Sequence, residues 1–381
     1  MEINDFWIDL IDQTITVGTK TAPVPPGLLP ESDIEGFGFQ AAGWALRIRL
    51  PGGQEVEAEL PRRTAQSLDE RVVVYLDQNH WSQLARARRD PPPDDARLGE
   101  AAAALEAVVA SRSIVVPASG GNFVETAPLY GQRRVELAET ILGVSRGWQM
   151  RHPLDVRRAE LHACLSDDPE VTEDVFALGA DSAFAFPAPK TSAMDLPDWL
   201  AEIAPHIPRI LGLYETLVEP TPINENAAVA EQLADTWASA FAELAARLAS
   251  SKASRDQAWR AVHANLLLDH LADISSVASE LAITTEEAIA RLCATDDPLG
   301  RAPFLSRLRA WLFARVRNTH QAWESNDLID GMYLCCAAGY AHLVVGERNA
   351  IGYLRQGRDC PPGAELTTSL SEAVTVLERL V

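Results

Sequence analysis

Five acidic residues in distant parts of the chain share one context, because each follows a strand-like run or opens a helix-like segment. They are Asp77, Glu125, Asp327, Asp330 and Glu347. Carboxylates that are brought together repel one another unless a cation lies between them. Oxygen donors without a thiolate or a set of histidines suit Mg²⁺ or Mn²⁺. Such an ion lowers the pKa of a bound water and holds a phosphate oxygen, so these residues point to hydrolysis of a phosphodiester.

Two of these residues follow segments that predict β-strands. The run Val72–Leu76 is almost unbroken in apolar residues and rich in β-branched ones, which is typical of a strand buried on both faces. It stops at Asp77, and a helical pattern begins at His80. Residues 113–117 predict a second strand, and Glu125 is expected in the first turn of the helix that follows. This order is typical of a parallel sheet, whose ligand sites form at the carboxyl ends of the strands.

The other three acidic residues lie near the end of the chain, where strands and helices again alternate. Asp327 and Asp330 are three residues apart at the start of a predicted helix, so both can face one side of it. Residues 342–345 predict a strand, and Glu347 lies at its end. A helix predicted over 369–380 closes the chain. Because the elements of a doubly wound sheet open onto one edge, we expect the five carboxylates to meet there.

The sequence predicts an α/β fold in four consecutive parts. Residues 1–70 form a small β-rich module, with alternating strand-like runs around a PGG turn. Residues 71–150 carry the first part of the α/β domain, and residues 318–381 carry its second part together with the C-terminal helix. Between them, residues 151–317 are rich in Ala, Leu and Arg at helical spacing and predict a mostly helical insertion, within which residues 181–200 are expected to form a loop.

Composition excludes several classes of protein. The formal charge of −21 argues against a protein that coats nucleic acid without specificity, although a local basic rim is enough for a nuclease. No apolar run reaches the roughly 18 residues of a membrane span, so no membrane partner is expected. The five cysteines include no CxxC pair, and the N-terminal run is acidic rather than basic. These features predict a cytoplasmic protein with neither structural zinc nor a disulfide framework.

Three motifs, in this order, resemble those of PIN-like nuclease domains. The first is YLDQNHW at 75–81, where a hydrophobic strand ends in Asp followed by a polar pair. The second is VVPASGGNFVET at 115–126, where a Ser-bearing loop leads to a helical Glu. The third is SNDLIDGMYLCCAAGYAHLVVGERN at 325–349, with an Asp-bearing helix, a short strand, and an acidic residue followed by a basic one. The chain departs from the family in its helical insertion and in Gly346-Glu347, where an Asp preceded by Thr or Ser is usual.

The resemblance implies a PIN-like parallel sheet flanked by helices and a role for each carboxylate. Asp77, Glu125 and Asp327 would bind Mg²⁺ or Mn²⁺, and Asp330 would be a further ligand or an outer carboxylate, so that these four form the catalytic group. Glu347 would be the remaining acidic metal position. The resemblance also implies an endoribonuclease that acts on single-stranded RNA, as toxins and antiviral effectors do. Control by a regulatory protein partner or by self-association is then expected.

Four further residues are candidates for contact with the substrate. Asn79 is either a helix N-cap or a group that orients water, and Ser119 is either a loop residue or a hydroxyl that binds phosphate or orients Glu125. Arg86 follows the first motif by two to three helical turns, and Arg348 comes directly after the last acidic motif residue. The two arginines are expected to form a phosphate-binding rim.

Two other functions remain open on the sequence alone. The resemblance covers roughly residues 71–150 and 318–360, and the chain could retain the PIN-like fold as an inactive scaffold or regulatory interaction protein. The departure at Gly346-Glu347 and the acidic charge favour that alternative. The third alternative is a metal-dependent phosphatase that acts on small phosphate esters.

Overall fold

A computed structural model gives the chain a mixed α/β fold with one antiparallel sheet and one parallel sheet. The predicted α/β class is therefore confirmed. The loop expected over 181–200 lies outside the described residues. The residues that the structure describes are 5–24, 34–60, 68, 71–89, 95–166, 175–178, 204, 206–218, 221–357 and 359–381.

The N-terminal part forms the six-stranded antiparallel sheet, in the order β3-β2-β1-β4-β5-β6. Its strands are β1 Phe6–Asp9, β2 Thr14–Val17, β3 Lys20–Pro23, β4 Gly36–Gln40, β5 Ala45–Arg49 and β6 Glu55–Glu59. The side chains of β5 and β6 alternate in burial, so Leu46, Ile48 and Val56 enter the core. These residues share one hydrophobic core with Val74 and Leu76 of the parallel sheet, so the β-rich module packs directly on the α/β part.

A buried carboxylate helps to hold this antiparallel sheet against the rest of the chain. Glu59 is only 7% exposed, yet it accepts hydrogen bonds from Arg71 Nη1 at 2.9 Å, Arg146 Nε at 3.2 Å and Trp148 Nε1 at 3.2 Å. The Glu59 N–H also donates to the carbonyl of Arg146 at 2.8 Å. A buried charge needs such partners, because without them burial would be strongly unfavourable.

The parallel sheet has the strand order β12-β11-β7-β8. Its strands are β7 Val72–Leu76, β8 Ile114–Val115, β11 Leu343–Val345 and β12 Glu365–Thr367. Leu76 pairs with Val345 in parallel, so the two central strands end side by side. Strands β7, β8 and β11 lie where the sequence predicts them, whereas β12 is too short and too polar to be recognised. A separate antiparallel pair joins β9 Trp148–Met150 to β10 Phe176–Leu178.

Helices cover both faces of the parallel sheet. Successive side chains of β7 point to opposite faces and so enter two different cores. Val74 and Leu76 belong to one core, and Val73 and Tyr75 to the other. Residues of the first core also come from α1 Gln78–Ala87, α2 Ala96–Ala110, α3 Gly120–Thr126 and α4 Gly131–Ser145. A strand covered on both faces has an almost continuous run of apolar residues, and this is the pattern that predicted β7.

The helical segment between the two halves of the α/β part supplies much of the second face. Its helices are α5 Pro153–Leu165, α6 Ile207–Val218, α7 Thr221–Ser250, α8 Arg255–Asp269, α9 Leu271–Glu280, α10 Thr285–Leu292, α11 Pro298–Arg301 and α12 Pro303–Val316. The chain then continues with α13 Asn326–Tyr340, α14 Arg348–Leu354 and α15 Leu370–Leu380. The described helices do not include one that is both long and apolar enough to cross a membrane.

The two helices α12 and α13 pack closely because small residues lie between them. A Cβ built on Gly339 would lie 2.9 Å from the backbone carbonyl carbon of Pro303. Gly339→Ala is therefore expected to lower the free energy of unfolding by about 1–3 kcal/mol through overpacking. Urea unfolding measures the change.

Gly99→Ala in α2 is the matched control, since a Cβ there would meet no atom within 4 Å. That change is expected to raise the free energy of unfolding by about 0.5–1 kcal/mol, because alanine loses less chain entropy in a helix. Equal stability of the Gly339→Ala variant and the wild type would contradict close contact between α12 and α13.

Candidate metal centre

Asp77 lies where β7 ends and α1 begins. Its Oδ1 accepts a hydrogen bond from the Gln78 N–H at 2.9 Å, so Asp77 is the N-cap of α1. The helix thus begins at Gln78 and not at the predicted His80, and Asn79 is not its cap. The Asp77 N–H donates to the carbonyl of Val345 at 2.9 Å, which fixes Asp77 at the carboxyl ends of β7 and β11. Asp77 is 9% exposed, and burial raises its pKa above the usual value.

Glu125 lies near the end of the short helix α3, not in its first turn as the sequence predicted. The helix begins earlier because Ser119 and Asn122 form a capping box. The Ser119 N–H donates to Asn122 Oδ1 at 2.9 Å, and the Asn122 N–H donates to Ser119 Oγ at 3.4 Å. Glu125 follows Asn122 by three residues, just under one helical turn, and one of its oxygens lies near those of Asp77 and Asp330.

The Ser119 hydroxyl, predicted as a structural loop group or as a contact to phosphate or Glu125, has only structural partners among the described residues. The residue is completely buried, and its Oγ donates to Asn122 Oδ1 at 2.9 Å and lies 3.1 Å from the Tyr75 hydroxyl. Its alternative role as a structural loop residue therefore fits, because the capping box and the tyrosine occupy its hydroxyl. A serine just before a helix is a favoured N-cap residue, so Ser119 itself was a readable sign of this cap.

The buried side-chain amide of Gln78, which was not among the predicted site residues, connects the Asp77 end of β7 to the helix that carries Glu125. Gln78 Nε2 donates to Thr126 Oγ1 at 2.9 Å, and Gln78 Oε1 accepts from Asn122 Nδ2 at 3.1 Å. Thr126 follows Glu125 directly, so these bonds set the spacing between the two carboxylates. A glutamine immediately after a strand-ending Asp gives no pattern by which its partner 48 residues away could be identified.

The structure brings together three of the five predicted carboxylates. One oxygen of each of Asp77, Glu125 and Asp330 lies within 4.8 Å of the others. Burial first, and then the charge of Asp77, raises the pKa of Asp330 to about 8. The same two causes raise the pKa of Glu125 to about 7. Water reaches Glu125 more freely than the other two residues, so the crowding acts most strongly on Asp330.

The donor set of these three residues fits Mg²⁺ or Mn²⁺. Both ions prefer carboxylate oxygens at about 2.1 Å, so two ligands of one ion are at most about 4.2 Å apart. Neighbouring ligands of an octahedral ion are about 3.0 Å apart, so rotation of the side chains would have to bring these oxygens, now within 4.8 Å of one another, closer together around an ion. Among the described residues, neither Arg nor Lys is a main influence on the pKa of any of the three, whereas His80 lowers that of Asp77. A cation between the three carboxylates would balance the charge that they carry when ionised and would replace the protons that crowding otherwise favours.

The structure places Asp327 outside this group of three, although the resemblance made it a principal ligand. Its Oδ1 accepts from Arg315 Nε at 3.3 Å, and its Oδ2 accepts from Arg315 Nη2 at 3.0 Å and from the Glu324 N–H at 2.8 Å. Three residues along a helix turn the side chain by 300°, so Asp327 and Asp330 differ by about 60° in direction. That difference directs Asp327 to the fully buried Arg315 and Asp330 to the other two carboxylates.

Glu347 lies beside the three carboxylates but is not one of them. It follows β11 at the N-cap position of α14, as the sequence placed it, and its Oε1 accepts a hydrogen bond from Asn79 Nδ2. Its backbone N–H donates to Asp77, and its charge contributes to the raised pKa of Glu125 and Asp330. Glu347 is thus positioned as an outer carboxylate.

A groove of about 450 Å³ adjoins the carboxylates on the side of Glu347. Asn79, Arg86 and Arg348, which the sequence predicted to contact the substrate, all line it. The Asn79–Glu347 hydrogen bond lies where the groove meets the three carboxylates. Three of the four predicted substrate contacts are therefore neighbours, although they come from α1 and from the start of α14.

Comparisons with models of protein families, with curated proteins and with solved structures found no match. The resemblance to PIN-like domains therefore remains a prediction from the sequence.

Proposed function

We propose that this chain is a metal-dependent nuclease that hydrolyses the phosphodiester bonds of RNA. The observation that carries the proposal is the convergence of Asp77, Glu125 and Asp330, from distant segments, into one group of crowded carboxylates. The adjoining groove with Arg86 and Arg348 supports a substrate rich in phosphate. Membership of the PIN-like family, on the three motifs, is part of the same proposal and is the reason to expect RNA.

In this proposal each residue has a separate task. Asp77, Glu125 and Asp330 hold Mg²⁺ or Mn²⁺, which when bound supplies Lewis acidity at the scissile phosphate. The backbone N–H groups of Gln78 and Glu347 fix the Asp77 carboxylate. Asn79 holds Glu347 by one carboxylate oxygen, which leaves Glu347 Oε2 to accept a proton from the attacking water.

The substrate and its control complete the proposal. Arg86 and Arg348 bind phosphates of a single strand beside the cleaved bond. An unrestrained ribonuclease is toxic, so we place this chain among toxins or defence effectors that are controlled by a protein partner or by self-association. The helical segment 151–317, of which α12 packs on α13, is the part of the chain available for such control.

Cleavage of labelled oligonucleotides tests the proposal. Single-stranded RNA is expected to be cut in Mg²⁺ or Mn²⁺ and to remain intact in EDTA, with single-stranded DNA and nitrophenyl phosphate as comparison substrates. Hydrolysis of nitrophenyl phosphate without cleavage of any oligonucleotide would indicate the phosphatase instead. Absence of both cleavage and a Mn²⁺-induced rise in melting temperature would indicate the inactive scaffold.

A further inference from the structure

The groove beside the carboxylates contains two arginines that form no ion pair with the acidic residues that the structure describes, although the Glu347 carboxylate also lines the groove. Arg86 and Arg348 are exposed, and neither forms an ion pair with any described residue. Two other arginines at the end of α1 behave differently, since Arg88 Nε lies 2.6 Å from Glu106 and Arg89 Nε lies 2.8 Å from Glu136. In a chain with 54 acidic and 33 basic residues, two unpaired cations in one groove are suited to an anionic ligand.

A buried histidine that lines the same groove has a ring nitrogen without a hydrogen-bond partner among the described residues. His80 is only 3% exposed, and its Nδ1 lies 3.2 Å from Gln83 Oε1. A carboxamide oxygen only accepts hydrogen bonds, so Nδ1 carries the hydrogen and Nε2 of the neutral ring is an acceptor. Nε2 has no hydrogen-bond partner among the described residues. A buried acceptor without a partner is unfavourable, and a hydroxyl of a ligand would satisfy it.

The remaining lining of the groove is polar and offers no surface for stacking. It consists of amide, hydroxyl and carboxylate side chains, and Phe, Tyr and Trp are not among its described lining residues; these side chains belong to Asn79, Ser82, Gln83, Glu347, Asn349 and Thr368. Recognition of single-stranded bases depends on aromatic side chains against which the bases stack. Cations, amides and an imidazole acceptor instead match the phosphate and hydroxyl groups of a sugar–phosphate unit.

We propose that this groove binds one ribose phosphate unit of the substrate strand and does not read its base. Arg86 and Arg348 hold the phosphate, and His80 Nε2 accepts a hydrogen bond from the ribose 2′-hydroxyl. This proposal deepens the proposed nuclease function, because it names the part of the nucleic acid that the enzyme recognises. Cleavage then shows little dependence on base sequence and prefers a strand that carries 2′-hydroxyls.

Binding of small ligands to the full chain in EDTA tests the groove without requiring hydrolysis. Isothermal titration is expected to give dissociation constants for ribose 5-phosphate and AMP that agree within about threefold, since the base adds nothing. 2-Deoxyribose 5-phosphate is expected to bind about fivefold more weakly, as for the loss of one neutral hydrogen bond. Adenosine, which lacks the phosphate, is expected to bind at least about tenfold more weakly than AMP.

Variants locate the binding. Arg86→Gln and Arg348→Gln are each expected to weaken the binding of AMP about tenfold. Arg88→Gln, at the C-cap of the helix that carries Arg86 but paired with Glu106, is expected to leave the affinity for AMP unchanged. His80→Phe is expected to remove the difference between ribose and deoxyribose ligands. Gln83→Ala provides a second test if the buried His80 variant fails to fold, because it frees Nδ1 and reduces the same difference.

Three results would overturn the proposal: AMP binding more than about tenfold tighter than ribose 5-phosphate, no binding by either phosphate ligand, or affinities unchanged in both groove arginine variants. The groove proposal and the nuclease proposal can also be contradicted independently of each other. A chain that binds ribose phosphate in EDTA but cleaves no oligonucleotide retains the groove and loses the nuclease function. A chain that cleaves RNA without binding these ligands retains the nuclease and loses the groove.

Discussion

Asp330→Asn is expected to abolish metal-dependent cleavage of RNA and the stabilisation by Mn²⁺, while the chain remains folded. Asp330 is the most crowded of the three carboxylates, and its replacement leaves an ion with two charged ligands instead of three. Metal-ion catalysis contributes several kcal/mol, so the loss of a ligand corresponds to a fall in rate of at least about a hundredfold. Cleavage rate and melting temperature with and without Mn²⁺ measure the two effects.

The same substitution is expected to stabilise the metal-free protein at high pH. The pKa of Asp330 is raised from its ordinary value of 3.8 to about 8 in the folded chain, so its ionisation opposes folding. In the wild type this destabilisation grows as the pH rises from about 4 to about 8 and is complete above that, whereas Asn does not titrate. In EDTA the melting temperature of the variant is therefore expected to exceed that of the wild type at pH 8 and to equal it near pH 4.

Asp256→Asn controls for the loss of one negative charge, because Asp256 is exposed in the first turn of α8. Its melting temperature is expected to follow that of the wild type at each pH. An Asp330→Asn protein that melts lower in EDTA and still responds fully to Mn²⁺ would show that Asp330 has a structural role and binds no metal.

The sequence predicted the acidic residues at the ends of β7 and β11 correctly, because local apolar patterns determine where these two strands lie. The run Val72–Leu76 predicted a strand with Asp77 at its end because a strand buried on both faces needs apolar side chains throughout. Residues 342–345 predicted β11 for the same reason. Strand β12 was missed because its three residues include Glu365 and pair only with β11, so its strand conformation depends on its neighbour.

Which carboxylates meet could not be predicted from spacing alone. Asp327 and Asp330 occupy the same helix, and the sequence allows either to face the other carboxylates. The choice depends on Arg315 in α12, whose contact with Asp327 joins segments that no local pattern relates. Glu125 was assigned to the wrong turn because the capping box at Ser119 begins α3 earlier than expected.

The buried pair of Arg315 and Asp327 leads to the second large effect. Arg315 is completely buried, its guanidinium lies 4.4 Å from the Trp323 ring centroid, and its Nη1 donates to the Gln321 carbonyl at 3.1 Å. Asp327→Ala leaves this charge without its counter-ion, so the free energy of unfolding is expected to fall by about 3–5 kcal/mol. Urea unfolding measures the loss, and Mn²⁺ is still expected to stabilise the variant because Asp77, Glu125 and Asp330 remain.

A double variant distinguishes the effect of the Arg315–Asp327 ion pair from that of the candidate metal centre. Replacement of both partners, in Arg315→Met with Asp327→Leu, removes the uncompensated charge and is expected to lose less stability than the sum of the single variants. The opposite pattern, in which Asp327→Ala loses the response to Mn²⁺ with little change in stability, would make Asp327 the metal ligand that the family resemblance implies. If the side of α13 that carries Asp330 faces Asp77 and Glu125, Asp330→Asn loses the response to Mn²⁺ and Asp327→Ala loses stability. If the side that carries Asp327 faces them, the two variants show the opposite effects.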